Sequence, residues 1–166
     1  AYCYANLDTY DLIYWLSADS EAGLGESITA LAHRLKLLAP NVTEQQVAVQ
    51  AVLHFLSQTS QRWLLVYDNA DQIEPAQLMP LLPRTGNGHV LITSRNPNYG
   101  GVGQVLALGL FTLDEAVRFL FQRRGAGAQR GSTEWAEAEN LARELGRLPL
   151  ALEHAAAYVL ARGGRY

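Results

Sequence analysis

The sequence predicts an α/β fold in which a parallel sheet is followed by helices alone. Residues 63–67 are all large and apolar or aromatic, and residues 88–95 form a second, similar run that ends in a cation. Unbroken runs of this length are typical of strands buried on both faces, as in parallel sheets. Apolar residues at helical spacing separate and follow the two runs. Strands that alternate with helices indicate a parallel sheet, and the helices that follow indicate a helical subdomain.

Composition bounds the class of protein. The 166 residues are 49% hydrophobic and 17% charged, which is typical of a globular domain with a real core. Cys3 is the only cysteine, so disulfide scaffolds and cysteine zinc sites are excluded and a cytoplasmic location is expected. The net charge of −3 without a basic block argues against direct nucleic-acid binding. Since no apolar run approaches the roughly 20 residues that span a bilayer, no membrane partner is expected.

The elements before residue 63 follow from apolar spacing and helix-end signals. Pro40 ends one helix, and Thr43 is predicted to cap the next, with Gln46 completing a capping box. In order, we predict the end of a helix at 1–6, a strand at 10–16, and helices at 24–38 and 43–58.

The elements after residue 68 follow in the same way. Thr112 and Glu115 are spaced as a capping box, and Pro75 suits the first turn of a helix. In order, we predict a short helix at 75–82, a strand at 88–95, a loop at 96–103, a short strand at 105–108, and helices at 112–124, 132–145 and 149–161, with a flexible link at 125–131.

Four segments together resemble the NB-ARC type of the STAND class of P-loop NTPases. Residues 62–71 look like a Walker B strand, and the strand ending at Arg95 looks like the sensor 1 strand. Residues 106–116 and 146–152, the latter reading Gly-Arg-Leu-Pro-Leu-Ala-Leu, follow in the family's order. The resemblance implies a P-loop-type parallel sheet and the start of a helical subdomain. It divides the chain into 1–125, a partial nucleotide-binding α/β domain, and 126–166.

The resemblance also implies a role for three residues. Asp68 would hold Mg²⁺ at the strand tip, Arg95 would contact the γ-phosphate of ATP, and Pro149 would pack against the adenine. Each has a simpler alternative. Asp68 and Asp71 suit a turn, Arg95 suits a solvated loop, and proline suits a helix's first turn without a ligand.

Asn69 stands where many family members carry a second acid that polarises the attacking water. Because an amide cannot take a proton as a general base, hydrolysis is expected to be slow, or Asp71 substitutes for the missing acid. The catalytic candidates are therefore Asn69 and Asp71, and the parent protein is expected to be a slow ATPase.

The phosphate-binding loop is the family feature that the sequence lacks. Lys36 is the only lysine, and no Gly-Lys-Ser/Thr occurs. Residues 100–104 resemble the middle of such a loop, but Gln104 and Val105 stand where lysine and Ser/Thr are required. The resemblance implies a strand-loop-helix unit before residue 1, with its strand between the Walker-B-like and sensor strands. Without that unit the chain is expected to be marginally stable, inactive, and weak in nucleotide binding.

Two function hypotheses from different classes remain. The first is a cytoplasmic ATP/ADP switch with Mg²⁺, in which ADP holds the two subdomains together and ATP opens them for self-association of the full-length parent. The second is a degenerate, non-hydrolysing interaction module that kept the fold, which Asn69 favours. A DNA-binding regulator would need a reader domain outside this chain.

Overall fold

A computed structural model describes residues 6, 8–125, 127 and 129–163. The helix end predicted at 1–6 lies, apart from Asn6, outside them. The chain divides into two compact units, Ala1–Val105 and Leu106–Tyr166. In the described part of the chain, no helix is both long and apolar enough to cross a membrane.

The first unit is built on three parallel strands: β1 (Leu12–Ser17), β2 (Trp63–Asp68) and β3 (Gly88–Ile92). β2 lies in the middle and pairs with both neighbours. The predicted parallel sheet is thus present.

Three helices connect the strands: α1 (Glu21–Arg34), α2 (Gln45–Gln58) and the short α3 (Pro75–Leu78), which a 3-10 turn at Met79–Leu81 extends. α1 ends earlier than predicted because Lys36 takes a left-handed conformation, with φ 59°, and turns the chain. The predicted capping box at Thr43 is wrong. The backbone is still extended at Glu44, so α2 begins at Gln45 and the Thr43 hydroxyl lies before its first turn.

The larger core of this unit lies on one face of the sheet, and a smaller buried cluster lies on the other. β2 is buried from Trp63 to Tyr67, as predicted, and α1 and α2 pack on the face that carries these two aromatic side chains. β3 is an edge strand among the described residues, and its side chains alternate between half-buried and exposed. The prediction that β3 is buried on both faces is therefore wrong: Val90 and Ile92 pack on the core, whereas Leu91 is 41% exposed.

The expected position of an additional strand is also wrong. β3 pairs directly with β2, in register from Trp63 opposite Gly88 to Tyr67 opposite Ile92, so no strand lies between them. Gly88 permits this contact, because a Cβ there would meet the Trp63 ring at 2.1 Å. This pairing removes the reason that a missing middle strand would give for marginal stability, and the marginal stability of the chain itself stays a prediction.

The second unit consists of α4 (Leu113–Arg124), α5 (Thr133–Glu144) and α6 (Pro149–Ala161). α4 packs on both other helices. The capping box predicted at its start is confirmed: Thr112 Oγ1 accepts from the Glu115 N–H at 3.2 Å, and the Glu115 carboxylate accepts from the Thr112 N–H at 2.8 Å. Phe121 and Trp135 stack in the core between α4 and α5.

The short strand predicted at 105–108 is not formed. A strand needs a neighbour for its backbone N–H and C=O groups, and these residues pair with no strand in the part of the chain that is described. Leu106 and Leu108 are 82% and 90% exposed.

By compactness the chain divides after Val105, so α4 lies with the later helices. The division at residue 125, which follows the family's subdomains, falls between α4 and α5 and stays a prediction.

Candidate functional site

The candidate site lies where the parallel strands of the first unit end. Asp68 is the last residue of β2, and it is paired in register with Ser17, the last residue of β1. The loop after β3 joins this edge, because the Thr93 N–H donates to the Tyr67 carbonyl and the Ala70 N–H donates to the Thr93 carbonyl, both at 2.9 Å. The loops that follow β2 and β3 are therefore joined by backbone hydrogen bonds. Open α/β sheets bind ligands at this edge.

Asp68 presents a half-buried carboxylate at the strand tip. Its Oδ1 accepts a hydrogen bond from the Thr93 hydroxyl at 2.5 Å, and Oδ2 has no hydrogen bond to a described residue. No group of three or more histidine, cysteine or acidic side chains comes together as a metal cage in the described residues. Mg²⁺ at phosphate sites is usually held by one or two carboxylates together with waters and phosphate oxygens. The free oxygen of Asp68 fits a site of that kind.

Asn69 turns the chain directly after β2. It adopts a left-handed backbone with φ 63°, a conformation that asparagine tolerates better than most residues. Its N–H donates to the Thr93 hydroxyl at 2.9 Å, and the residue is exposed. Its side chain is thus accessible at the site, but it is an amide and carries no basic group.

Asp71 is the best-anchored acid of the site. Its carboxylate accepts from the backbone N–H of Arg95 at 2.6 Å and from the Arg95 Nε at 2.5 Å. The Ser94 hydroxyl lies 3.2 Å from the same carboxylate, and the Asp71 side chain is only 9% exposed. The hydrogen bond from the Arg95 backbone, followed by that from its side chain, lowers the pKa of Asp71 below its usual range.

Arg95 is bound to Asp71 through two of its nitrogens, and the outer part of its guanidinium is exposed. Its backbone nitrogen and its Nε bind Asp71, yet the side chain is 87% exposed. Neither Nη makes a hydrogen bond to a described residue. Because a guanidinium binds phosphate oxygens in a fork geometry, these two nitrogens form an available anion contact.

Tyr99 braces this arrangement and was missed by the sequence reasoning. The loop predicted at 96–103 contains a 3-10 turn at Pro97–Gly101, and the buried Tyr99 hydroxyl lies 3.0 Å from the Ala70 carbonyl and 2.8 Å from the Ile73 carbonyl. Burial, with smaller contributions from Glu74 and Asp71, raises the pKa of this phenol. The available signal was a single aromatic residue among Asn, Pro and Gly.

Pro149 lies in the second unit, as the first residue of α6. Gly146 and Arg147 take left-handed conformations, with φ 61° and 57°, and turn the chain before it. The Arg147 carbonyl accepts from the Phe111 N–H at 3.3 Å, which ties this turn to the start of α4. The first unit by itself thus brings together Asp68, Asn69, Asp71 and Arg95, and Pro149 occupies a helix start where proline is favoured.

Comparison with known proteins finds a weak relative. No protein-family model matches the chain. The chain is 23% identical over 167 aligned residues to a "nucleotide-binding leucine-rich repeat (NLR)-like protein" of Hyaloscypha variabilis. The alignment covers 89% of this chain and 16% of that protein, so the chain spans less than a fifth of its relative's length. This likeness is consistent with the resemblance to NB-ARC and STAND proteins.

Proposed function

We propose that the chain is part of a nucleotide-binding switch of the STAND and NB-ARC type, which binds ATP or ADP with Mg²⁺. One observation carries the proposal: at the carboxyl edge of a parallel sheet, Asp68 at the end of β2 has one carboxylate oxygen, and Arg95 in the loop after β3 has two Nη groups, that make no hydrogen bond to a described residue. A cation ligand and an anion ligand at the same edge of the sheet suit a Mg²⁺–phosphate group. The name of the NLR-like relative supports the same function class.

Each candidate residue has a defined part in this proposal. Asp68 holds Mg²⁺, which would neutralise charge on the phosphates. Arg95 contacts the γ-phosphate, which only ATP carries. Pro149 packs against the adenine through its apolar ring. The chain has no Gly-Lys-Ser/Thr, so we place the backbone amides and lysine that grip the phosphates outside these 166 residues.

Switching follows from differential contact with the two nucleotides. ATP gains a contact at Arg95 that ADP lacks, so the nucleotides stabilise different conformations of the full-length protein. We propose that the ATP-bound conformation self-associates and that the protein acts in the cytoplasm. Because Asn69 cannot act as a general base, and Asp71 is already bound to Arg95, turnover would be slow and the bound nucleotide would set the state for a long time.

The second candidate function is a non-hydrolysing interaction module that keeps the fold without the nucleotide. The exposed amide of Asn69, where an acid would be needed, favours it. The Thr93 hydroxyl bound to Asp68 favours it too, because this carboxylate is already partly satisfied within the chain.

Equilibrium binding separates the two candidates. The gene product that carries this chain, with its natural flanking sequence, is titrated with ATP and with ADP in the presence of Mg²⁺. A switch binds both, whereas an interaction module binds neither. The 166-residue chain alone is titrated in parallel and is expected to bind much more weakly, because it lacks the phosphate-gripping loop.

A further inference from the structure

The pairing of Asp71 with Arg95 uses only part of what each side chain offers. A guanidinium has five N–H donors, one on Nε and four on the two Nη. Asp71 takes the Nε donor, and the four Nη donors have no partner among the described residues. Asp71 also takes the backbone N–H of the same arginine, at 2.6 Å. One carboxylate therefore fixes Arg95 at two points, its backbone nitrogen and its Nε.

We propose that Asp71 is a positioning residue, which holds Arg95 by Nε so that both Nη groups are presented to a phosphate-type anion. The inference deepens the proposed function and rests on it. It gives Asp71 a different part from that of a substitute general base, because the carboxylate acts through Arg95 and not on water.

Positioning favours anion binding through entropy. A long exposed side chain has many rotamers, and part of this conformational entropy is lost when an anion immobilises it. The Asp71 contact removes part of this freedom before the anion arrives. Arg95 is otherwise 87% exposed, so no other described contact restrains it as closely.

Competition between Asp71 and the anion is the opposing possibility, and the geometry argues against it. An anion at the Nη groups leaves the Nε contact in place, because the nitrogens are separate. The negative charge of Asp71 is also compensated by a contact that does not involve the guanidinium, namely the hydrogen bond from the Arg95 backbone N–H at 2.6 Å. Arg95 can therefore bind Asp71 and an anion at the same time.

The first test needs no ligand and uses the chain itself. The Arg95 Nε–H signal in a ¹⁵N–¹H NMR spectrum, assigned by its loss in Arg95→Gln, is expected to be resolved and slow to exchange in the wild type. In Asp71→Asn it should exchange quickly. The matched control is Asp114→Asn, which removes the Nε partner of the exposed Arg118 and should leave the Arg95 signal unchanged. An Arg95 signal that is unaffected by Asp71→Asn would overturn the inference.

The second test measures ATP affinity in the gene product with its natural flanking sequence. Asp71→Asn is expected to weaken binding, and the double variant with Arg95→Gln should bind no more weakly than Arg95→Gln alone. Such non-additivity is the sign that one residue acts through the other. Tighter ATP binding by Asp71→Asn would show competition, and unchanged binding would show a purely structural role. Either result would overturn the inference.

A second variant keeps the test decisive if Asp71→Asn does not fold. Arg95→Lys is an exposed substitution that keeps the charge but offers a single nitrogen. Its ammonium has to share one nitrogen between Asp71 and the anion, without the fork geometry of arginine, so its ATP affinity should fall below that of the wild type. Binding equal to the wild type would contradict the inference. If the wild type binds neither ATP nor ADP, the proposed function and the anion contact fail together, and the Nε signal alone judges whether Asp71 fixes Arg95.

Discussion

The carboxylate of Asp71 accepts hydrogen bonds from both the backbone N–H and the Nε of Arg95, at 2.6 and 2.5 Å. One residue follows β2 and the other follows β3, so this contact joins the two loops that carry the candidate nucleotide ligands. It leaves the outer part of the guanidinium exposed. This edge of the sheet therefore has an acid and a cation that are held in place, together with Asp68, whose Oδ2 makes no hydrogen bond to a described residue.

Arg95→Gln should reduce affinity for ATP more than affinity for ADP. A hydrogen bond to a charged group contributes about 1.5–3 kcal/mol, which corresponds to a loss of about 10-fold to 100-fold in ATP affinity. ADP lacks the γ-phosphate, so its affinity should change little. Calorimetric titration of the gene product with each nucleotide measures both.

The matched control for this experiment is Arg84→Gln, which removes an exposed arginine from the loop before β3. It changes net charge by the same amount and should leave both affinities unchanged. An equal loss of ATP and ADP affinity in Arg95→Gln would mean that Arg95 does not discriminate the γ-phosphate.

Acid should remove the stability that Asp71 contributes. Its pKa is lowered in the folded chain, chiefly by the Arg95 backbone and side chain. The contribution is therefore present above the ordinary carboxyl pKa of about 3.9 and is lost as pH falls through the lower folded value. Urea unfolding of the wild type and of Asp71→Asn, from about pH 7 to about pH 2, should show a free-energy difference that is constant until pH falls below about 3.9. A difference that vanishes near neutral pH would contradict this.

Tyr99→Phe should loosen the loop after β2. The variant removes a hydroxyl that lies 3.0 and 2.8 Å from the Ala70 and Ile73 carbonyls, and a hydrogen bond lost from a buried group costs about 1–3 kcal/mol. Unfolding followed by tryptophan fluorescence measures the loss. Tyr158→Phe, at a residue 61% exposed, is the control and should have almost no effect. An equal loss of stability in the two variants would show that the Tyr99 hydroxyl does not stabilise the loop after β2.

The two predicted capping boxes had opposite outcomes, and substitution should show the same contrast. Thr112→Ala should destabilise the second unit by about 1 kcal/mol, because it removes a real N-cap. Thr43→Ala should change stability by less than about 0.5 kcal/mol, because Thr43 is exposed and lies outside the first turn of α2. Denaturant unfolding of both variants checks this, and a cost at Thr43 as large as that at Thr112 would contradict the structure.

Comparing the predicted with the observed elements shows which parts of the fold can be predicted from sequence. β2 was predictable because every residue from Trp63 to Tyr67 is buried, and a continuous apolar run reports burial on both faces. Thr112 and Thr43 have the same local pattern, with Glu115 and Gln46 three residues on. Only the path of the chain before each helix decides which threonine caps, and a four-residue pattern does not contain that path.

The pairing of the strands could not be predicted from sequence, for a related reason. The direct pairing of β2 with β3 depends on long-range register, including the close fit of Gly88 on Trp63. The expectation of an intervening strand came from a family resemblance alone. The segment at 105–108 has the apolar composition of a strand, but composition does not supply a pairing partner.

The candidate site could be predicted from the sequence only in part. Asp68 and Arg95 could be named because they follow apolar runs, and parallel strands end at one edge. The contact of Asp71 with Arg95 needed the conformation of both loops, including the left-handed turn at Asn69. The role of Tyr99 could not be predicted because its partners are backbone carbonyls, which every residue has whatever its side chain.

The most direct test of the central claim is the Mg²⁺ dependence of ATP binding in Asp68→Asn. Calorimetry compares the wild-type gene product and the variant, with Mg²⁺ and with a chelator in its place. Mg²⁺ should strengthen ATP binding by the wild type, and Asp68→Asn should remove this gain and leave the Mg²⁺-free affinity nearly unchanged. An identical gain from Mg²⁺ in the two proteins, or no ATP binding by the wild type, would contradict the assignment of this sheet edge as a Mg²⁺–nucleotide site.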